Sequence, residues 1–213
     1  MTAYFSDVLT LARKDLRLEL RARSVVPAML LFVVSTLVVF HFALPSGSSD
    51  LAAKGMLWVA ILFTALLGLT RAFVAEREQR LIDGLLLAPC DRSAIWLAKS
   101  ISVFAFLGIA ELVALPAYAL FFSGVGWSTI VAVLLADIGI VTVGTLLAAV
   151  AAVSRTRELL LPLLFLPLAI PVVVGGVGAS VVDDPGRYLG FLCLYDAVFA
   201  IISWASFEYV VTE

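Results

Sequence analysis

Three carboxylates interrupt otherwise apolar runs of this chain: Glu111, Asp137 and Asp196. Paired ionisable groups in an apolar medium can relay protons, and each costs at least about 2.5–3.5 kcal/mol if it stands unpaired at the centre of a bilayer. They must therefore face other helices, a partner or water. Helix-to-helix hydrogen bonding accounts for three scattered carboxylates about as well as a relay does. His41 is the sole histidine and lies near the end of an apolar run. A histidine can ligate an iron porphyrin, but a single one near an interface is more often an anchor or a hydrogen-bonding residue. Cys90, after Pro89, and Cys193 have neither CxxC nor metal-ligand spacing and read as packing residues. The chain has no Walker A loop, no HExxH and no nucleophile elbow. It therefore lacks the glycine loop that cradles ATP phosphates, and no catalytic, cofactor-binding or metal-binding set is assigned to it.

The elements that must position these groups follow from composition. Of 213 residues, 63% are hydrophobic and 14% charged, the formal net charge is −2, and the mean hydropathy is +1.13. Soluble domains are about 45–50% apolar and about 25% charged. A soluble enzyme, a nucleic-acid binder and a secreted disulfide module are poor readings, and a polytopic membrane protein remains. A spanning helix needs roughly 20 mostly apolar residues, which leaves room for six and for no separate soluble domain. The fold expected is all-α, one transmembrane domain over 1–213. Its spans are about 25–44, 55–74, 95–122, 128–153, 159–182 and 188–211, with a short loop from Pro45 to Lys54. With the N-terminus inside, Arg13, Lys14, Arg17, Arg21, Arg23, Arg71, Arg77, Arg80, Arg92, Lys99, Arg155 and Arg157 are cytoplasmic. That is twelve of the fourteen basic residues, leaving Lys54 and Arg187 outside. This asymmetry is what the positive-inside rule requires, and it places both termini in the cytoplasm.

Residues 1–24 read as an amphipathic helix, with Phe5, Leu9, Ala12, Leu16 and Leu20 at helical spacing. Arg13, Lys14, Arg17 and Arg21 give it a basic side, so it should lie in the membrane interface with its leucine face in the acyl boundary. No small-residue cleavage site follows a short apolar run, so a cleavable signal peptide is not expected. Trp58, Trp127, Tyr188 and Tyr195 fall near the expected outer boundaries, as an aromatic belt would. The fifth span carries Pro162, Pro167 and Pro171, then Gly175, Gly176 and Gly178. Interior prolines should kink or break it; simple tolerance of Pro and Gly and a segment that bends during transport remain about equally balanced. Gly144 and Ala148 permit close helix packing without saying whether the neighbour is a second copy.

The most specific local feature is the loop after the second span, from Ala75 to Arg92. Glu76 and Arg80 form an i,i+4 pair, and Leu81, Ile82, Leu85 and Leu86 make an apolar patch beside Glu78, Asp83 and Gly84. A loop that only had to be solvated would not carry four aliphatic residues. A short amphipathic helix with exposed aliphatics should dock in a groove of another protein, so that a soluble motor could push the second and third spans.

At these residues the chain resembles the CcmB family, the haem exporter B membrane subunits of the cytochrome c maturation ABC transporter. The resemblance runs over nearly the whole chain. It rests on the Arg-Lys-Asp-Leu-Arg-Leu-Glu run at 13–19 and Leu-Trp-Val-Ala-Ile-Leu-Phe at 57–63. It rests further on the 75–92 loop with its Leu-Leu-Leu-Ala-Pro, Ala-Lys at 98–99, and Leu-Pro-Leu-Ala-Ile-Pro at 166–171. It implies a permease subunit of the bacterial inner membrane, itself no enzyme, working with an ABC ATP-binding subunit in two copies and with other maturation membrane subunits. The complex would transfer or release haem to a periplasmic chaperone, with haem as cargo of the complex and no haem ligand named in this chain. The resemblance makes the 76–89 segment the coupling helix that meets the ATPase, and the N-terminal helix its neighbour in the interface. Besides the lipid bilayer, a second copy of the chain is an open partner, and nucleic acid is not one. An ABC-2-type permease for another cargo (glycan, lipid or drug) and a static membrane scaffold are the alternatives.

Overall fold

The computed structural model describes residues 2–45, 50–72, 91–122, 124–154 and 157–212. Among them are seven helices: α1 (Thr2–Ala22), α2 (Val25–Ala43), α3 (Asp50–Arg71), α4 (Arg92–Phe121), α5 (Trp127–Val153), α6 (Arg157–Val181) and α7 (Gly186–Thr212). No strand occurs in the described residues. The six helices after α1 are long and apolar enough to cross a membrane, as the composition required. Inside a bilayer no water satisfies the backbone, so each span must close its own hydrogen bonds, and a helix does so within one segment.

The helix ends have local causes. Asp91 caps α4, accepting from the Ser93 backbone N–H at 2.9 Å. The expected loop to Lys54 is shorter than the sequence reading gave it: α3 begins at Asp50, five residues before Gly55. An acidic residue in a first turn complements the helix dipole, and Lys54 Nζ pairs with Asp50 at 2.7 Å in i,i+4 register. The expected kink-or-break in the fifth span is not a break. α6 runs through Pro162, Pro167 and Pro171 as one helix, and the Tyr195 hydroxyl of α7 donates to the Leu168 carbonyl at 2.7 Å. That bond supplies a donor close to where Pro171 removes one.

Helix α5 is the axis of the bundle. Its span is 61% buried by protein, against 22% for those of α2 and α7, and it packs on α3, α4, α6 and α7. Small residues let the neighbours approach. Leu69 of α3 sits on Gly144 of α5, and Met29 of α2 sits on Gly68 of α3. The neighbour of Gly144 is thus in the same chain.

The glycines of α6 are sockets. Leu192 and Phe191 lie over Gly175, Tyr188 over Gly178, and the Trp58 ring over Gly176. Trp58 consequently does not belong to an aromatic belt. It is fully buried, and its indole N–H donates to Ser180 Oγ at 3.1 Å. Tyr195 is also buried, whereas Trp127 is 78% exposed and suits the belt expected of it.

A Cβ at 176 would collide with the Trp58 ring. Gly176→Val should therefore destabilise the detergent-solubilised protein by about 1–3 kcal/mol, the usual range for overpacking. The measurement is the thermal unfolding midpoint; an unchanged midpoint would mean that Trp58 does not fill this socket.

Candidate functional site

Two places gather the chemistry-bearing residues: the end of the bundle where α1 meets α4, and a carboxyl layer at mid-depth. At the first, α1 divides into two ridges. Val8 and Ala12 are buried against Ala94 and Ala98 of α4. Asp15 and Glu19 continue that ridge at helical spacing, and Tyr4 is tied to Ser93 by a 3.1 Å hydroxyl hydrogen bond. The opposite ridge, Phe5, Leu9, Arg13, Arg17 and Arg21, is exposed throughout, apolar at its start and basic at its end. The single leucine face of the sequence reading is therefore corrected. Ala12 is used inside the protein, while Phe5 and Leu9 stay exposed.

Asp15 fixes α1 in place. Its carboxylate lies 2.9 Å from Lys99 Nζ on α4 and 3.1 Å from Lys14 Nζ, with the Asp15 and Lys99 side chains 10% and 7% exposed. An ion pair this buried is weak evidence of net stability, but removing one partner leaves a costly charge. Glu19 then turns the chain into the first span. It accepts from the Val25 N–H at 2.6 Å and the Val26 N–H at 3.1 Å. This is the capping work that Ser24 does not perform, since it makes no side-chain cap bond of its own. Arg23, at φ 51°, takes the left-handed turn between the two helices. Lys99, which reads in the sequence as one more flanking cation, is thus an internal tether. The spacing of Val8, Ala12, Asp15 and Glu19 was the available signal for this buried ridge.

The second place is the carboxyl layer. Glu111 lies ten residues before the end of α4, and Asp137 and Asp196 lie ten residues after the starts of α5 and α7. These three ends share one side of the bundle. At 1.5 Å per residue all three carboxylates stand about 15 Å in, half-way through a hydrocarbon core of about 30 Å. The structure brings Glu111 and Asp137 together, with side chains within interaction distance across the α4–α5 seam. Asp196 meets α5 at a different point. Its Oδ1 lies 2.6 Å from where a Cβ on Gly139 would stand, so only glycine leaves it room.

Of the other residues singled out in sequence, His41 is exposed, its ring 5.3 Å from that of Phe121 and 5.7 Å from that of Phe122. Its ring packs among the aromatic rings at the ends of α2 and α4. Cys193 is a free, exposed thiol. Cys90 and the expected coupling segment (Glu76, Glu78, Arg80, Leu81, Ile82, Asp83, Gly84, Leu85 and Leu86) lie outside the described residues. Among those described, no group of three metal-ligating side chains occurs. A shallow groove of about 600 Å³ runs along α2, lined by Ala28, Leu31, Phe32, Ser35 and Val39 among others. It offers no charge or imidazole.

The sequence of residues 6–207 matches a family model described as CcmB protein. The chain is similar to the "Heme exporter protein B" of Bradyrhizobium diazoefficiens, 30% identical over 202 residues that make up 90% of this chain and 91% of the relative. It is similar also to those of Paracoccus denitrificans, 32% identical over 84% of this chain and 86% of the relative, and of Pseudomonas aeruginosa, 33% identical over 79% and 78%.

The tether makes a quantitative expectation. Asp15→Leu removes the carboxylate facing the buried Lys99 and should destabilise the protein toward the low end of about 3–5 kcal/mol, while Asp15→Leu with Lys99→Met should recover most of that loss. Detergent unfolding midpoints of the two single variants and the double variant measure the coupling. Simple additivity would show that the pair does not hold α1 on α4.

Proposed function

The chain belongs to the CcmB protein family, and from that we propose that it is the membrane subunit of an ABC-type transporter complex serving cytochrome c maturation. In this reading a partner subunit hydrolyses ATP, and the complex moves haem to, or releases it with, a periplasmic haem chaperone. The observation that carries the proposal is the family match over nearly the whole chain, joined to relatives whose names state haem export. The six apolar helices make it a multi-pass membrane protein. In this reading it lies in the bacterial inner membrane with both termini in the cytoplasm, a placement that the distribution of arginine and lysine supports.

The physical role assigned to this subunit is transmission. The connection from Arg71 to Arg92 joins α3 and α4, which pack on each other. On the proposed topology that connection and α1 lie on the same cytoplasmic side. An ATPase pressing on Leu81, Ile82, Leu85 and Leu86 would load the end of α3 and the start of α4 together. Through Ala94, Ala98 and Lys99 the load reaches α1, whose exposed Phe5, Leu9 and arginine ridge rests in the interface. Through α3 and α4 it reaches α5, on which both pack. The chain would thus couple a soluble motor to the bundle without fuel of its own. Other maturation subunits and a second copy of the chain complete the proposed complex, and haem is its cargo without an assigned ligand here.

Leu85→Asp should abolish the docking patch while leaving membrane insertion intact. Expected are at least a tenfold loss of c-type cytochrome yield and loss of the ATPase subunit from the complex purified in mild detergent. Normal yield with the ATPase still bound would sink the coupling role. An ATPase that co-purifies with the wild type while cytochrome c maturation is indifferent to deleting the gene would instead favour a permease for a different cargo.

A further inference from the structure

We propose that Glu111 and Asp137 form a binding site for one exchangeable proton at the middle of the bundle, held between the two carboxyl groups across the α4–α5 seam. Neither residue is needed for the transmission described above, and the inference stands without it.

The first observation is placement. Glu111 is 6% and Asp137 1% exposed, and the two side chains face one another at the same depth. The second is that Asp137 is left unsatisfied while aimed into this site. Neither of its carboxyl oxygens has a hydrogen-bond partner among the described residues, and Glu111 Oε1 has none either. A carboxylate is an acceptor only, so two ionised groups placed face to face offer three bare oxygens and no donor. One proton supplies the donor that is missing. It also removes one of two like charges from a medium in which each is expensive.

The charged groups on the surrounding helices do not substitute for that proton. On α4 the nearest cation is Lys99, twelve residues and about 18 Å along the helix, facing Asp15 of α1. Helix α5 holds no charged residue other than Asp137. On α3, Asp50 and Lys54 pair at one end and Arg71 closes the other. On α2 the one ionisable side chain is His41, exposed at its far end. On α6, Arg157 and Glu158 occupy the start of the helix. On α7, Arg187 is near the start and Glu208 twelve residues past Asp196. Two titratable neighbours stand at the same depth: Asp196 adds a further acceptor, since its own two oxygens lack partners among the described residues, and Tyr195 has its hydroxyl already committed to the Leu168 carbonyl. The seam is polar at a second level too, where Ser100 and Thr145 hydrogen-bond at 3.0 Å on the Lys99 side of the pair. The ligand class indicated is therefore a proton, with a small monovalent cation as the competitor that the test must separate.

A hydrophobic carbodiimide reads the site directly. It reacts with a carboxyl only when that carboxyl is protonated: the acid proton passes to a carbodiimide nitrogen, and the carboxylate oxygen bonds to the central carbon. Membrane vesicles holding the intact complex are treated across a range of pH, and the peptides containing residues 111 and 137 are examined by mass spectrometry. The expected result is one adduct per chain at Glu111 or Asp137, falling about tenfold per pH unit once the shared proton is lost.

Glu111→Gln and Asp137→Asn each place an amide donor opposite the remaining acid. Each should therefore abolish labelling of that acid by at least tenfold, while the adduct-free protein keeps its wild-type unfolding midpoint. Undiminished labelling of the surviving acid would overturn the shared site, because two independently protonated groups would behave that way. Protection of the wild type by sodium ions at constant pH would overturn the proton in favour of a cation. If the wild type is unlabelled at every pH, infrared difference spectra of wild type against Asp137→Asn decide. A protonated-carboxyl carbonyl band that shifts in heavy water upholds the site, and its absence refutes it.

Discussion

Everything in this protein is arranged around the scarcity of hydrogen-bond partners inside a bilayer. A group that water would satisfy at a soluble surface must here find a partner in the bundle or go without, at a cost of several kcal/mol. The backbone meets that constraint by being helical. The side chains meet it by pairing across seams: Trp58 with Ser180, Ser100 with Thr145, and Tyr195 with the Leu168 carbonyl beside a proline. Where the described residues supply no donor to two facing acids, as at Glu111 and Asp137, an exchangeable ligand has a physical reason to bind.

The same constraint separates two kinds of charged residue. Arg13, Arg17 and Arg21 sit on the exposed ridge of α1, where in the proposed interfacial placement the headgroup region would solvate them. Asp15, Glu19 and Lys99 face inward and are consumed by structure: one ion pair ties α1 to α4, and one carboxylate caps α2. A helix that reads as a float on the membrane is thereby bolted to the third span. That attachment is what would let a force applied near the start of α4 be felt in the interface as well as in the core.

Close approach of helices provides the remaining cohesion. Lipid tails are as apolar as the side chains, so burial of apolar surface does not by itself bring spans together; packing of large groups into small ones does. Trp58 on Gly176, Leu69 on Gly144 and Tyr188 on Gly178 are such contacts, and α5 lies among them. In α6 the glycines are filled and the prolines are accommodated within a continuous helix, so the segment that reads as most flexible is held by its neighbours.

The number of spans and their all-helical nature were legible in the sequence because the bilayer fixes both the length and the polarity of each segment; apolar runs of the required length can do little else. The three buried acids and the basic ridge of α1 were legible for the same reason, as exceptions to an apolar background. The partners were not legible. Sequence spacing places Glu111, Asp137 and Asp196 within helices, but only the packing of α4 against α5 pairs the first two and leaves Asp196 over Gly139. Likewise Lys99 reads as one more flanking cation until α1 lies across α4. Which face of a helix meets which neighbour depends on how large and small side chains interlock between segments far apart in the chain, and no local pattern encodes that.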